Sequence, residues 1–104
     1  MSEAETVFME QETTITIVQA PACHFCADAD QILSDLADRY PVQLIRLDMR
    51  TSEGLLLTQQ HRAAMSPLVL VDGQFFSQGR LPRGKVRQLT SALDRAATAT
   101  RGAL

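Results

Sequence analysis

The chain has 104 residues, enough for one compact domain, and 45% of them are hydrophobic, enough for a core. A net charge of −2 and a pI near 5.6 give no reason to expect nucleic acid or a membrane surface as a partner. Two cysteines cannot build a disulfide scaffold, and no apolar run approaches the roughly 18 residues that span a bilayer. The N-terminus lacks the basic-then-apolar layout of a signal peptide, so the expectation is a cytoplasmic monomer.

Residues 1–12 carry Glu3, Glu5, Glu10 and Glu12 and no base; they read as a flexible acidic lead-in to a single domain over 13–98. Thr13 to Gln19, rich in Thr, Ile and Val, is the first expected strand. Pro21 ends it, because proline has no N–H for a ladder. From Cys23 to Arg39 the residues Ala29, Ile32, Leu33, Leu36 and Tyr40 recur at helical steps, and Pro41 stops the helix. Val42 to Asp48 is a second strand. Its Arg46 is out of place in a buried strand and is expected at an edge, or paired with an acid.

Thr51 or Ser52 caps a second helix that carries Leu55, Leu56 and Leu57 and fades near Ala64; Gly54 weakens its first turn. His61 near its end reads as a surface histidine rather than a metal ligand. Leu68 to Val71 is a buried strand, Asp72-Gly73 a type I′ hairpin signal, and Gln74 to Ser77 the returning strand. A last helix starts at Pro82 or Arg83 with Val86, Leu89, Leu93 and Ala96 or Ala97 on one face, and residues 99–104 read as a frayed tail. The order β-α-β-α-β-β-α is that of an α/β fold.

The chemistry lies in Cys23-His24-Phe25-Cys26, between the first strand and the first helix. Cys23 falls near the helix N-cap, where free N–H groups and the helix dipole favour a thiolate, the attacking species in disulfide exchange. Cys26, one turn further in, is the resolving thiol. His24, when protonated, adds positive charge and tunes the Cys23 pKa downward. Phe25 adds apolar surface beside the sulfurs, and the pair lies at the carboxyl end of a strand, where open α/β sheets place their sites. Asp28 is close enough in sequence to oppose thiolate formation, but reads more simply as part of a solvated helix face.

With these residues assembled, the chain resembles the thioredoxin-like superfamily, and within it the glutaredoxin-like redoxins, over about residues 13–98. The Cys-x-x-Cys motif with an aromatic third residue carries the resemblance. So do Met65-Ser66-Pro67 ahead of a strand, and Val69 to Asp72-Gly73 running on to Gly79-Arg80. Ser77 to Pro82 is also similar to the end of the small redoxins that serve ribonucleotide reductase. The resemblance implies a thioredoxin-like fold: a four-stranded mixed sheet with helices on both faces and a cis bond at Ser66-Pro67. It also implies that Ser66 and Pro67 pack against the cysteines and pair with an extended substrate, with Phe25, Gly79 and Arg80 around it. The sequence departs from the family at several points. Ala22 replaces the tryptophan of thioredoxins, Ile17 their buried aspartate, and Ala20 a glutathione-binding lysine of many glutaredoxins.

The expected function is therefore thiol–disulfide oxidoreduction of protein or low-molecular-weight disulfides, with Cys23 the nucleophile and Cys26 the resolving residue. No tightly bound cofactor is expected beyond the redox-active disulfide, and thioredoxin reductase or a low-molecular-weight thiol is the electron donor. Gln59, Gln60, Arg62, Arg80 and Arg83 are candidates for holding a thiol's carboxylates. Arg80 to Arg87 form a basic patch suited to an acidic partner. The competing readings are metal or iron–sulfur binding through the cysteine pair, and a redox-inert adaptor.

Overall fold

The computed structural model describes residues 12–102, and the lead-in expected over 1–12 lies outside them except for Glu12. The seven expected elements are present in the expected order. They are β1 (Thr13–Gln19), α1 (His24–Arg39), β2 (Val42–Asp48), α2 (Ser52–Gln60), β3 (Leu68–Val71), β4 (Gln74–Gln78) and α3 (Arg83–Gly102). The last helix continues past Thr98, so the stretch read as a frayed tail is helical as far as Gly102.

β1 is a central strand. The sheet order is β2-β1-β3-β4, with β1 parallel to β2 and antiparallel to β3, and β3 antiparallel to β4. Strands buried on both faces favour β-branched and aliphatic residues, and β1 and β3 supply them. Alternation sends Ile15, Ile17 and Val69 to one side and Val18, Leu68 and Leu70 to the other. At the hairpin Asp72 and Gly73 both have positive φ (51° and 81°), as a type I′ turn requires.

The two sides are unequal. On the Ile15–Ile17 side α1 and α3 lay down Ala29, Leu33, Leu36, Leu89 and Leu93, with Leu81 between them. Each fully buried Leu or Ile contributes about 1.5–3 kcal/mol of transfer free energy. On the other side Val18, Leu68 and Leu70 are covered by Leu47, Met49, Leu57 and Ala63. Of the three leucines expected on α2, only Leu57 packs; Leu55 and Leu56 are 47% and 54% exposed. Three consecutive helical residues fan over about 200°, so one short helix cannot aim all of them at a single surface.

Helix ends follow from the sequence. Cys23 is the N-cap of α1, and Tyr40 ends it with its backbone N–H donating to Leu36 O, just ahead of Pro41. Thr51, rather than Ser52, caps α2, its Oγ1 accepting from the Gly54 N–H at 3.0 Å. Gly54 has a second role that helix propensity hides. It is buried, and a Cβ there would run into the Asp48 carbonyl at the end of β2. Among the described residues no helix is long and apolar enough to cross a membrane.

Candidate active site

Three segments meet at the carboxyl end of β1: the β1–α1 turn, the loop before β3, and the end of β4. Ala22 turns the chain into α1 with φ of 52°, a left-handed conformation that costs a non-glycine residue roughly 1–2 kcal/mol. Such local strain is typical of functional turns, and here it aims Cys23 at the helix N-terminus. Cys23 and Cys26 are joined as a disulfide, with their Cα atoms 5.2 Å apart.

The two sulfurs have different surroundings. Cys23 is half-buried, and the Cys26 N–H donates to its Sγ at 3.1 Å. Cys26 is 3% exposed on the packed face of α1, and the Ala20 N–H points at its Sγ at 3.5 Å. Each sulfur therefore faces a backbone donor, and such donors favour the anionic form once the bond is opened.

The second segment closes over Cys23. The Ser66 carbonyl oxygen is 3.9 Å from Cys23 Sγ, and the Ser66-Pro67 bond is cis, as the resemblance implies. Pro67 is fully buried, and its carbonyl accepts from the Gly79 N–H at 2.9 Å. Gly79 has φ of 74°, and any side chain there would meet that of Met65. Gln78 was not singled out from the sequence, yet its Oε1 accepts from the N–H groups of Ala64 (2.8 Å) and Met65 (3.1 Å). β4 thus holds the proline loop through the Gly79 backbone and the Gln78 amide. Ser66 Oγ also lies 3.8 Å from Met49 Sδ.

Around the sulfurs the rim is apolar. Phe25 and Met65 are 45% and 54% exposed. His24 is exposed at the first position of α1 and makes no hydrogen bond or ion pair among the described residues. Arg80 is exposed directly after Gly79. The structure thus brings Cys23, Cys26, Ser66, Pro67 and Gly79 together and leaves Phe25 and Arg80 at the margin.

The remaining candidates fall elsewhere. His61 is the C-cap of α2, and Gln59, Gln60 and Arg62 belong to that helix and its end. Arg80 and Arg83 instead line a groove between α1 and α3. Arg46 pairs with an acid, as expected: Nε and Nη2 donate to Asp30 at 2.7 and 3.2 Å, and Nη2 also donates to Ser34. The Arg46 guanidinium holds the Asp30 carboxyl below the ordinary carboxylate range, against the opposing effect of partial burial and with help from Gln19. Asp28 is exposed, as the plain reading has it. Among the described residues no group of three or more His, Cys, Asp or Glu side chains could hold a metal ion.

This sheet order, with a cysteine pair at the start of α1 and a cis-proline before β3, defines a thioredoxin-like fold. No protein-family model and no curated protein sequence matches the chain. Solved structures do. Oxidised mitochondrial thioredoxin 3 from Saccharomyces cerevisiae superposes with a TM-score of 0.56 at 16% identity, over 89% of this chain and 87% of that one. A protein of unknown function from Staphylococcus aureus, SA0789, superposes with a TM-score of 0.53 at 11% identity, over 79% of this chain and 91% of that one. At these identities the likeness shows the fold. The joined cysteines are themselves a dithiol–disulfide pair, a group able to exchange with other disulfides.

Proposed function

We propose that the chain is a dithiol–disulfide oxidoreductase acting on protein or low-molecular-weight disulfides, with Cys23 the nucleophile and Cys26 the resolving thiol. The observation that carries this reading is the asymmetry of the pair. Cys23 is partly open at a helix N-terminus and receives the Cys26 N–H, while Cys26 is buried one turn further in.

The reaction starts from the reduced pair. The Cys23 thiolate attacks one sulfur of a substrate R–S–S–R′; that bond breaks, and R′–S⁻ leaves and takes a proton. The product is a mixed disulfide between Cys23 and R. Cys26 loses its proton and attacks Cys23 Sγ, expelling R–S⁻, which is protonated in turn. Two electrons have passed to the substrate, and the protein holds the Cys23–Cys26 disulfide. An external dithiol or thiol returns two electrons and two protons; thioredoxin reductase and a low-molecular-weight thiol are the two donor classes.

The helix terminus and the Cys26 N–H hold negative charge on Cys23. Phe25 and Met65 bind the apolar part of the substrate. The Ser66 backbone, beside Cys23, pairs with an extended segment beside the scissile bond. Gly79 keeps the loop seated, and Arg80 attracts acids.

A protein-disulfide reduction assay tests the reading. Cys23→Ser abolishes turnover, and Cys26→Ser accumulates mixed disulfide visible by mass spectrometry. Full turnover by Cys23→Ser would sink the proposal. Ultraviolet titration of the reduced protein adds a second test: one thiolate appears well below the free-cysteine value of about 8.5.

A further inference from the structure

A groove of about 520 Å³ runs between α1 and the start of α3, lined by Asp28, Ile32, Arg80, Leu81, Arg83, Val86 and Arg87. Its floor is apolar: Leu81 is buried, and Ile32 and Val86 are half-buried against the main core. Its walls are basic, with three arginines against the single carboxylate of Asp28. Arg80, Arg83 and Arg87 are exposed, and none makes an ion pair among the described residues.

The charges are placed against the local physics. Arg83 is the first residue of α3, and the first turn holds no acid, although the positive end of a helix dipole favours anions. Arg83 and Arg87 are four apart on the same helix, where like charges repel. Lys85, between them, is used differently: its Nζ donates to Phe76 O at 2.7 Å and lies over the Phe76 ring. The arginines are thus the part of this basic stretch left open for a ligand.

Along the chain, residues of the groove adjoin those of the redox site. Asp28 is two residues beyond Cys26. Arg80 follows Gly79, whose N–H is bonded to the proline loop beside Cys23.

We infer that this groove binds an acidic segment of a protein partner, with an apolar side chain on Ile32, Leu81 and Val86 and flanking carboxylates on Arg80, Arg83 and Arg87. The inference rests on the redox reading only in making that segment a neighbour of the partner's disulfide; the binding itself does not require turnover. An apolar residue between acids matches both the floor and the walls, whereas a purely apolar segment leaves three guanidinium groups unanswered. Exposed ion pairs are individually weak and salt-sensitive, so selectivity arises from several acting together.

The test uses two synthetic peptides without cysteine, of the pattern acid–Phe–acid and lysine–Phe–lysine, titrated into the oxidised full chain by fluorescence anisotropy. The acidic peptide binds tighter by about tenfold at low salt, the size expected of a few exposed ion pairs, and the preference shrinks as salt rises. Arg83→Glu with Arg87→Glu inverts the preference toward the lysine peptide, a reversal that mere loosening of α3 does not produce. Equal binding of both peptides at low salt, or a preference unmoved by the charge reversal, overturns the inference. Separate failure of the wild-type chain to reduce any disulfide overturns the redox reading and leaves the binding result standing.

Discussion

The two faces of the sheet differ in how they are built. The α1/α3 face is a deep core, in which Ile15, Ile17, Leu33 and Leu36 are almost wholly excluded from solvent. The α2 face is shallow; Leu57 of the nine-residue helix joins Leu47, Met49 and Ala63 in covering three buried residues, and Leu55 and Leu56 stay in water. The candidate site uses both. Cys26 is anchored in the deep face through α1, while the Met65–Pro67 loop that closes over Cys23 leads away from α2 on the shallow one. On the redox function proposed above, a pair that opens and re-forms needs fixed sulfurs, and an entering substrate needs a surface that can give. The division of packing between the faces suits those two demands.

The largest test of this comparison is truncation on either face. Leu33→Ala empties a fully buried site in the deep core and costs about 2–5 kcal/mol, whereas Leu57→Ala, only partly buried, costs about 1 kcal/mol or less. Urea unfolding of both variants gives the two values. Equal losses would mean that the shallow face is as tightly organised as the deep one, and the contrast would fail.

Gly54→Ala sharpens the point where α2 meets β2. Helix propensity alone predicts a gain of about 1 kcal/mol from alanine. The Asp48 carbonyl lies where the new methyl would go, and a backbone atom cannot step aside as a flexible side chain can. Overpacking of this kind costs about 1–3 kcal/mol, so the net effect is destabilisation. A thermal melt decides; a raised Tm would show that α2 can lift away from β2 without penalty.

How much of this was legible in the sequence depended on whether the signal was local. The strands and helices followed from β-branched runs, helical spacing and the prolines at 21 and 41. The Asp72-Gly73 turn followed from two residues that tolerate positive φ. The cysteine pair was legible from its spacing, and the cis bond at Ser66-Pro67 from resemblance to a family. An arginine in a strand demanded a partner, and one exists, but nothing local pointed to Asp30 sixteen residues earlier. Gly54 read as a weakness because its neighbour across the fold, the Asp48 carbonyl, is invisible to propensity. Gln78 reads from the sequence only as a turn residue, since an amide becomes a clamp only when the fold brings two backbone N–H groups to it from fourteen and thirteen residues away.

That clamp is the next test, because it ties the loop of the shallow side to β4. Gln78→Ala removes two hydrogen bonds, at a cost of about 1 kcal/mol. Its effect on the site exceeds its effect on the fold: amide exchange at Ala64 and Met65 speeds up, and KM for a disulfide substrate rises while Cys23 remains reactive toward a small alkylating agent. Gln78→Glu keeps an acceptor oxygen and restores slow exchange. Unchanged exchange in Gln78→Ala would show that the loop is held by the Gly79–Pro67 hydrogen bond alone.

The smallest effect concerns the polar edge of the deep face, where Asp30 on α1 meets Arg46 on β2. Arg46 lowers the Asp30 pKa below its ordinary value of 3.8, so the folded state binds that proton less readily than the unfolded one. The resulting stability is complete above the ordinary value and is lost as pH falls through the lowered one. Asp48, held by Arg50 and lowered to about 2, acts in the same direction. Arg46 and Arg50 are exposed and Asp30 and Asp48 are half-buried, and pairs so open to solvent contribute little. Asp30→Asn should therefore leave the urea midpoint nearly unchanged at low pH, lower it slightly at neutral pH, and flatten its slope as pH falls below the ordinary carboxylate value of 3.8. An equal slope in wild type and variant would mean that ionisation of Asp30 contributes nothing to stability and that the edge is held by the packing beneath it.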